Sequence, residues 1–314
     1  MRKTASVCLL AFLLAGAVFS GCKREKKPEK QIRTFGFTCV WLGNPFFTIV
    51  EHTIREEVEK NGDKMITVDT ERDHEKQISQ IKDMISGEID LLFLNPVDME
   101  AIRTTLISLN LADIPVINFD SEVRDIDLVA AYVGSDNRNA GYVCGLDMVK
   151  RFPNGGPIAV LDSPARLSTR NRIDGFNEAI TGKGFTVVFL RDAQGNVSLA
   201  RQYTEEMLKS NPGVVALMGG NDPVALAAYA VCQAAGRTNI LIYGVDGSPA
   251  AKAEIAKLGQ FAGTGAQSPI NIARTMVELA YKILDKQPYE KRVAVKTFII
   301  NQDNIDQYDI DGWQ

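Results

Sequence analysis

Thr34-Phe35-Gly36-Phe37-Thr38-Cys39-Val40, an unbroken apolar run, ends at Trp41-Leu42-Gly43-Asn44-Pro45-Phe46-Phe47, where turn residues stop a strand and open a helix. A continuous apolar run, as opposed to an alternating one, marks a strand covered on both faces. The same unit recurs along the chain, with strands expected at 34–40, 64–69, 91–94, 116–118, 130–134, 158–161, 187–190, 214–218, 241–245 and 261–265. Helical periods lie between them: Ile78, Ile81, Met84 and Ile85 in one, Leu199, Tyr203, Met207 and Leu208 in another, Ile272, Met276, Leu279 and Ile283 in a third. Repeated strand–helix units with buried strands predict an α/β chain built on doubly wound parallel sheets.

The pattern falls into two halves, 33–134 and from Asn137 onward. They meet at Val133-Gly134-Ser135-Asp136-Asn137, where Asp136 is a candidate helix N-cap. Open parallel sheets take ligands at the carboxyl ends of their strands, so two facing lobes would enclose a cleft. The strand ends carry Trp41 to Phe47, then Asn118-Phe119-Asp120, then Asp162, Asn221-Asp222, Asp246 and Gln267. Planar amides and carboxylates bridge neighbouring hydroxyls, and a flat ring covers a C–H face. The set suits a neutral, hydroxyl-rich ligand in a deep cleft. Each residue also has a plainer reading. Asp162 and Asp222 would serve as helix caps, and Phe46 and Phe47 as core of the first helix.

The chain has 314 residues, a formal net charge of −4 and no basic stripe, which argues against nucleic acid as a partner. Arg2 and Lys3, an apolar stretch over 6–19 and the ending Phe19-Ser20-Gly21-Cys22 read as a secretory signal too short to span a bilayer. That ending resembles a bacterial lipobox, which implies removal of 1–21, acylation of Cys22 and a charged tether over 22–32. The expected location is periplasmic or cell-surface, on a membrane through the N-terminal lipid. Cys39, Cys144 and Cys232 are expected as buried free thiols. With only His52 and His74 no metal site is expected, and no cofactor motif is present.

Further motifs run in order: Asn44-Pro45-Phe46-Phe47, Asn95-Pro96-Val97, Ile114-Pro115-Val116-Ile117, Gly134-Ser135-Asp136-Asn137, Arg170-Asn171-Arg172-Ile173-Asp174-Gly175-Phe176, Gly220-Asn221-Asp222 and Gly244-Val245-Asp246-Gly247. In this order they resemble the periplasmic substrate-binding proteins of sugar ABC transporters, near the ribose-binding branch, from about Arg33 to Asp303. The resemblance implies the type I periplasmic binding protein fold, with two lobes joined by a three-segment hinge. The first lobe would comprise 33–134 and 268–295, the second 135–267 and 296–314. It also implies ligand contacts from Asn44, Phe46, Phe47, Asp120, Arg172, Asn221, Asp246 and Gln267, with Trp41 and Ser121 as further candidates. Arg170 would be structural, and Asp136 and Asn137 would support the hinge. Ser121 stands where ribose binders carry an arginine, while Gly195 and Val245 replace two aromatic stations. Those losses of volume leave pentose, hexose, ketose and cyclic polyol open.

The mechanism implied is capture by closure, without chemistry on the ligand, by a monomer that delivers a monosaccharide or polyol to a permease and its ATPase. A sensor passing a sugar or furanosyl signal to a chemoreceptor or receptor kinase is the alternative. A repressor effector domain would need an N-terminal helix-turn-helix in place of the lipobox. A glycosidase would use Asp120 with Asp246, but a neighbouring Arg172 keeps a carboxylate ionised and unsuited to act as an acid. The chain is therefore read as a binder and not an enzyme.

Overall fold

The computed structural model describes residues 32–314. The signal, Cys22 and the tether up to residue 31 lie outside them. The first five strands are β1 (Thr34–Cys39), β2 (Lys64–Asp69), β3 (Leu91–Leu94), β4 (Val116–Phe119) and β5 (Ala131–Ser135). The next five are β6 (Gly156–Asp162), β7 (Phe185–Asp192), β8 (Ala216–Gly219), β9 (Leu241–Asp246) and β10 (Phe261–Ala266), followed by β11 (Arg292–Val295) and β12 (Phe298–Asn301). Between them run α1 (Pro45–Lys60), α2 (His74–Ser86), α3 (Arg103–Leu111), α4 (Asn137–Arg151), α5 (Leu167–Ile180), α6 (Val197–Ser210), α7 (Asp222–Ala234), α8 (Pro249–Ile255) and α9 (Pro269–Leu284).

The strands form two six-stranded sheets, in the orders β11-β5-β4-β3-β1-β2 and β12-β10-β9-β8-β6-β7. All pairings are parallel except β10 with β12. This is the doubly wound two-lobed α/β architecture expected from the apolar runs. All ten expected strands are present, β2 and β3 with the expected bounds and the other eight with ends shifted by one or two residues. The sequence reading missed β11 and β12. Each is a four-residue edge strand, and β11 (Arg-Val-Ala-Val) has no fully buried position, so neither yields a long apolar run.

Both faces of each sheet are covered. In the first, Phe35, Phe37, Phe93 and Phe119 pack against Val50 and Ile54 of α1 and Ile272 and Met276 of α9. Leu92 and Leu94 face Ile81 and Met84 of α2 and Leu106 and Leu109 of α3. In the second, Leu161, Leu217 and Ile242 meet α6 to α8, while Val160, Met218, Tyr243 and Val245 meet Cys144 of α4 and Phe176 of α5. Burying each such side chain contributes roughly 1.5–3 kcal/mol. Cys39, Cys144 and Cys232 are buried free thiols whose ionisation burial opposes.

The chain passes between the sheets three times, after β5, after β10 and between β11 and β12. At two of these passages Thr297 Oγ1 donates to Asp136 O (2.9 Å), and Asn139 Nδ2 donates to Thr297 O (2.9 Å). Asp136 caps α4 through Asn139 N at 3.0 Å, as expected from sequence. No helix among the described residues is long and apolar enough to cross a membrane.

Candidate functional site

The carboxyl ends of the two sheets face one another around a narrow polar cavity. Asn44, Phe46, Phe47, Asp120 and Ser121 line it from the first sheet's side, and Arg172, Asn221, Asp246 and Gln267 from the second's. Nine of the ten residues singled out by sequence are thus brought together. Trp41 is not among them. Its ring instead lies under the Arg72 guanidinium, 4.4 Å from ring centroid to Cζ.

Asn44 and Asn221 are at once helix caps and cavity residues. Oδ1 of Asn44 accepts from Phe46 N (3.1 Å) and Oδ1 of Asn221 from Val224 N (3.1 Å). Each cap uses the acceptor and leaves the amide nitrogen to donate elsewhere. Phe46 and Phe47 likewise serve both expected roles, packed in the first core while lining the cavity. Phe47 sits edge-on to Phe119, and Phe46 edge-on to Trp313. The cap readings of Asp162 and Asp222 are corrected by the structure. Asp222 is the first residue of α7, and its buried carboxylate accepts from Ser248 N and Oγ (2.8 Å each) and Thr264 Oγ1 (2.7 Å). Asp162 accepts from the adjacent Ser163 N at 2.6 Å and caps no helix.

Arg172 organises the cavity floor. Its Nε donates to Asn137 Oδ1 (2.7 Å) and its Nη1 to Gly220 O (3.0 Å). Asp246 lies 3.4 Å and Asp120 3.7 Å from the guanidinium, so one cation faces two carboxylates. Asn137, expected as hinge support, therefore also orients Arg172. The helix carrying Arg172 sits unusually close to α4. A Cβ on Gly141 would fall 1.7 Å from Arg172 O, and one on Gly175 1.9 Å from Arg138 O. Only glycine permits that approach.

Burial pushes the Asp120 carboxyl up, and the Arg172 and Arg166 charges pull against it. Burial also raises Asp246, to about 8, opposed by Arg172 and assisted by the charge of Asp222, so the expectation that Arg172 keeps its neighbouring carboxylate ionised is overturned by burial. Gln267 Nε2 donates to Asp246 Oδ1 at 2.8 Å, and its Oε1 is a buried acceptor without a partner among the described residues. Asp120 and Asp246 have φ of 57° and 153°. Backbone strain of this kind collects at binding sites and costs about 1–3 kcal/mol per residue.

The sequence reading missed Val40, Arg166, Ser168 and Thr169, all on the cavity wall. Arg166, Ser168 and Thr169 follow the carboxyl end of β6 and open α5, so their position after a strand was the available signal. Ser168 Oγ lies 2.8 Å from Ser121 Oγ, a hydrogen bond between the two lobes. Val245, thought to leave space, is core instead. Beside the cavity runs a groove of about 450 Å³ lined by Pro223, Leu226, Pro249 and Trp313 among others. It shares Asn44 and Asp246 with the cavity but lacks its converging polar groups. Among the described residues no group of three or more His, Cys, Asp or Glu could hold a metal ion.

Two parallel-sheet lobes that line one polar cavity from both sides define the fold class of the solute-binding proteins. Within that class the chain belongs to the family of the periplasmic binding protein domain, whose profile matches residues 35–288. It is 31% identical over 300 residues to the ribose import binding protein of Bacillus subtilis, covering 94% of this chain and 97% of that one. An ABC transporter solute-binding protein from Mycobacterium smegmatis, solved with glycerol, is 26% identical with a TM-score of 0.84, covering 88% of this chain and 96% of that one. The Caulobacter myo-inositol binding protein shares the fold at 24% identity and a TM-score of 0.82, over 90% of this chain and 97% of that one.

Proposed function

We propose that the protein is an extracytoplasmic receptor that binds a monosaccharide or polyol between its lobes and hands it to the permease and ATPase of an ABC transporter. The lobes are 33–134 with 268–295, and 135–267 with 296–314. Acylated Cys22 holds the monomer at a membrane. The observation that carries the reading is the split of polar groups across one cavity: Asn44 and Asp120 from one lobe, Arg172, Asn221, Asp246 and Gln267 from the other. Only the closed form satisfies a ligand's hydroxyls from both sides, so the ligand shifts the population toward closure. A misplaced hydroxyl leaves a buried group unpaired at about 1–3 kcal/mol, which gives stereochemical selectivity. The relatives' names, ribose import among them, support a solute of this size.

Thermal unfolding against aldopentoses, hexoses, ketoses, polyols and inositols tests the reading. A ligand at a hundred times its Kd adds about 2.7 kcal/mol, a shift of several degrees. Asp246→Ala is expected to abolish that shift. A panel without any hit removes the sugar reading.

A further inference from the structure

We propose that the solute is an acidic sugar, a monosaccharide bearing a carboxylate or phosphate, and that Arg166 with Arg72 beside it receives the anionic group. The inference rests on the sugar-binding reading above. Of three guanidiniums at the cleft, Arg172 is already committed to Asn137, Gly220 O and the two carboxylates. Arg166 lines the same cavity, and among the described residues its guanidinium makes no hydrogen bond or ion pair, although its backbone N–H donates to Ser163 O. Its Nη1 lies 3.1 Å from where a Cβ on Gly195 would stand. Arg72 reaches that same glycine from the opposite lobe, donating from Nη1 to Gly195 O at 3.4 Å while stacked on Trp41.

The backbone enforces this convergence. Glu71 and Arg72 have φ of 54° and 71°, a strained pair in the left-handed region. Among the described residues no carboxylate lies within ion-pair distance of Arg166: Asp162 accepts from Ser163 N, Asp192 accepts from Gln194 N, and Asp120 and Asp246 lie 3.7 Å and 3.4 Å from Arg172. Burial and the Arg72 and Arg172 charges pull the Arg166 guanidinium down, while the charges of Asp120 and Asp192 pull it up. A neutral polyol would leave the Arg166 guanidinium without an anionic hydrogen-bond partner at contact distance. A carboxylate or phosphate instead meets it through paired N–H donors, among the stronger hydrogen bonds available to a protein.

The test is calorimetric titration of wild type and Arg166→Gln with matched pairs: D-glucose and D-glucuronate, D-galactose and D-galacturonate, D-ribose against D-ribonate and D-ribose 5-phosphate. One acid is expected to bind at least about tenfold tighter than its neutral parent, and Arg166→Gln to bring that ratio toward one. The ribonate and phosphate arms say which anion is meant. The ligand-free variant should unfold at the same temperature as wild type or higher, because no protein partner is lost. A neutral sugar binding as tightly as its acid overturns the inference and leaves the sugar-binding reading standing. Silence across all pairs and the neutral panel removes both. A fall of several degrees in the ligand-free variant makes Arg166 structural and overturns the inference independently of any ligand.

Discussion

In the folded chain Asp246 keeps its proton to about pH 8, whereas its ordinary value is 3.8. Folding therefore holds an extra proton between those values, and the stability attached to it is complete below the lower one. That stability is lost as pH rises through the window toward the upper value. Asp246→Asn keeps the acceptor for Gln267 and removes the ionisation. The ligand-free variant should melt several degrees above wild type at pH 8, and the gap should close near pH 4. Equal melting at both pH values would show that Asp246 ionises freely. The same substitution is expected to lower sugar affinity at least about tenfold, since it replaces a carboxyl oxygen of the cavity with an amide nitrogen that cannot accept a hydrogen bond. Stability is thereby given up for binding, as is common at functional sites.

At the scale of elements, the crossing of α4 and α5 sets where Arg172 points. Gly141→Ala forces a methyl group to within 1.7 Å of Arg172 O, so the helices must part. Overpacking of this kind costs about 1–3 kcal/mol, and here it also draws Arg172 from Asn137. Thermal unfolding should fall by several degrees, and affinity for any sugar found should drop with it. Gly259→Ala is the control, because nothing lies within 4 Å of its added carbon. Equal behaviour of the two variants would detach the glycine contact from the site.

Across the whole molecule, the C-terminal segment ties the lobes at the cleft mouth. The buried Lys252 donates to Asp309 O, Gly312 O and Gln314 Oε1, and burial pulls its ammonium down. Gln314 Nε2 donates to Gln267 O (2.7 Å), Gly247 O (3.1 Å) and Asp246 O (3.3 Å), while Trp313 packs on Phe46 of the other lobe. Removing residues 309–314 strips Lys252 of its acceptors and should cost about 3 kcal/mol of stability. Lys252→Met in the shortened chain should recover a good part of it. A double-mutant cycle by denaturant unfolding measures the coupling. Additive losses would mean that the lysine is not what the tail serves.

Strand positions, doubly wound sheets and most cavity residues were legible in the sequence because they rest on local regularities. A run such as Leu91-Leu92-Phe93-Leu94 is continuous because both faces of its strand are covered, and Asp246 and Gln267 announce themselves by ending β9 and following β10. Edge strands β11 and β12 escaped because partial exposure breaks that regularity. The partner of each side chain was settled only by the approach of the lobes. Trp41, legible in the sequence as a candidate ligand contact, carries Arg72, whose side-chain hydrogen-bond partner Gly195 lies 123 positions away. Arg166 enters the cavity because α5 is pressed onto α4 by two glycines, and Ser121 meets Ser168 across the cleft. Sequence determines which faces are buried, since burial repeats with the period of each element. Which buried charge is answered and which is left open depends on distances between segments far apart in the chain, and those exist only in the folded molecule.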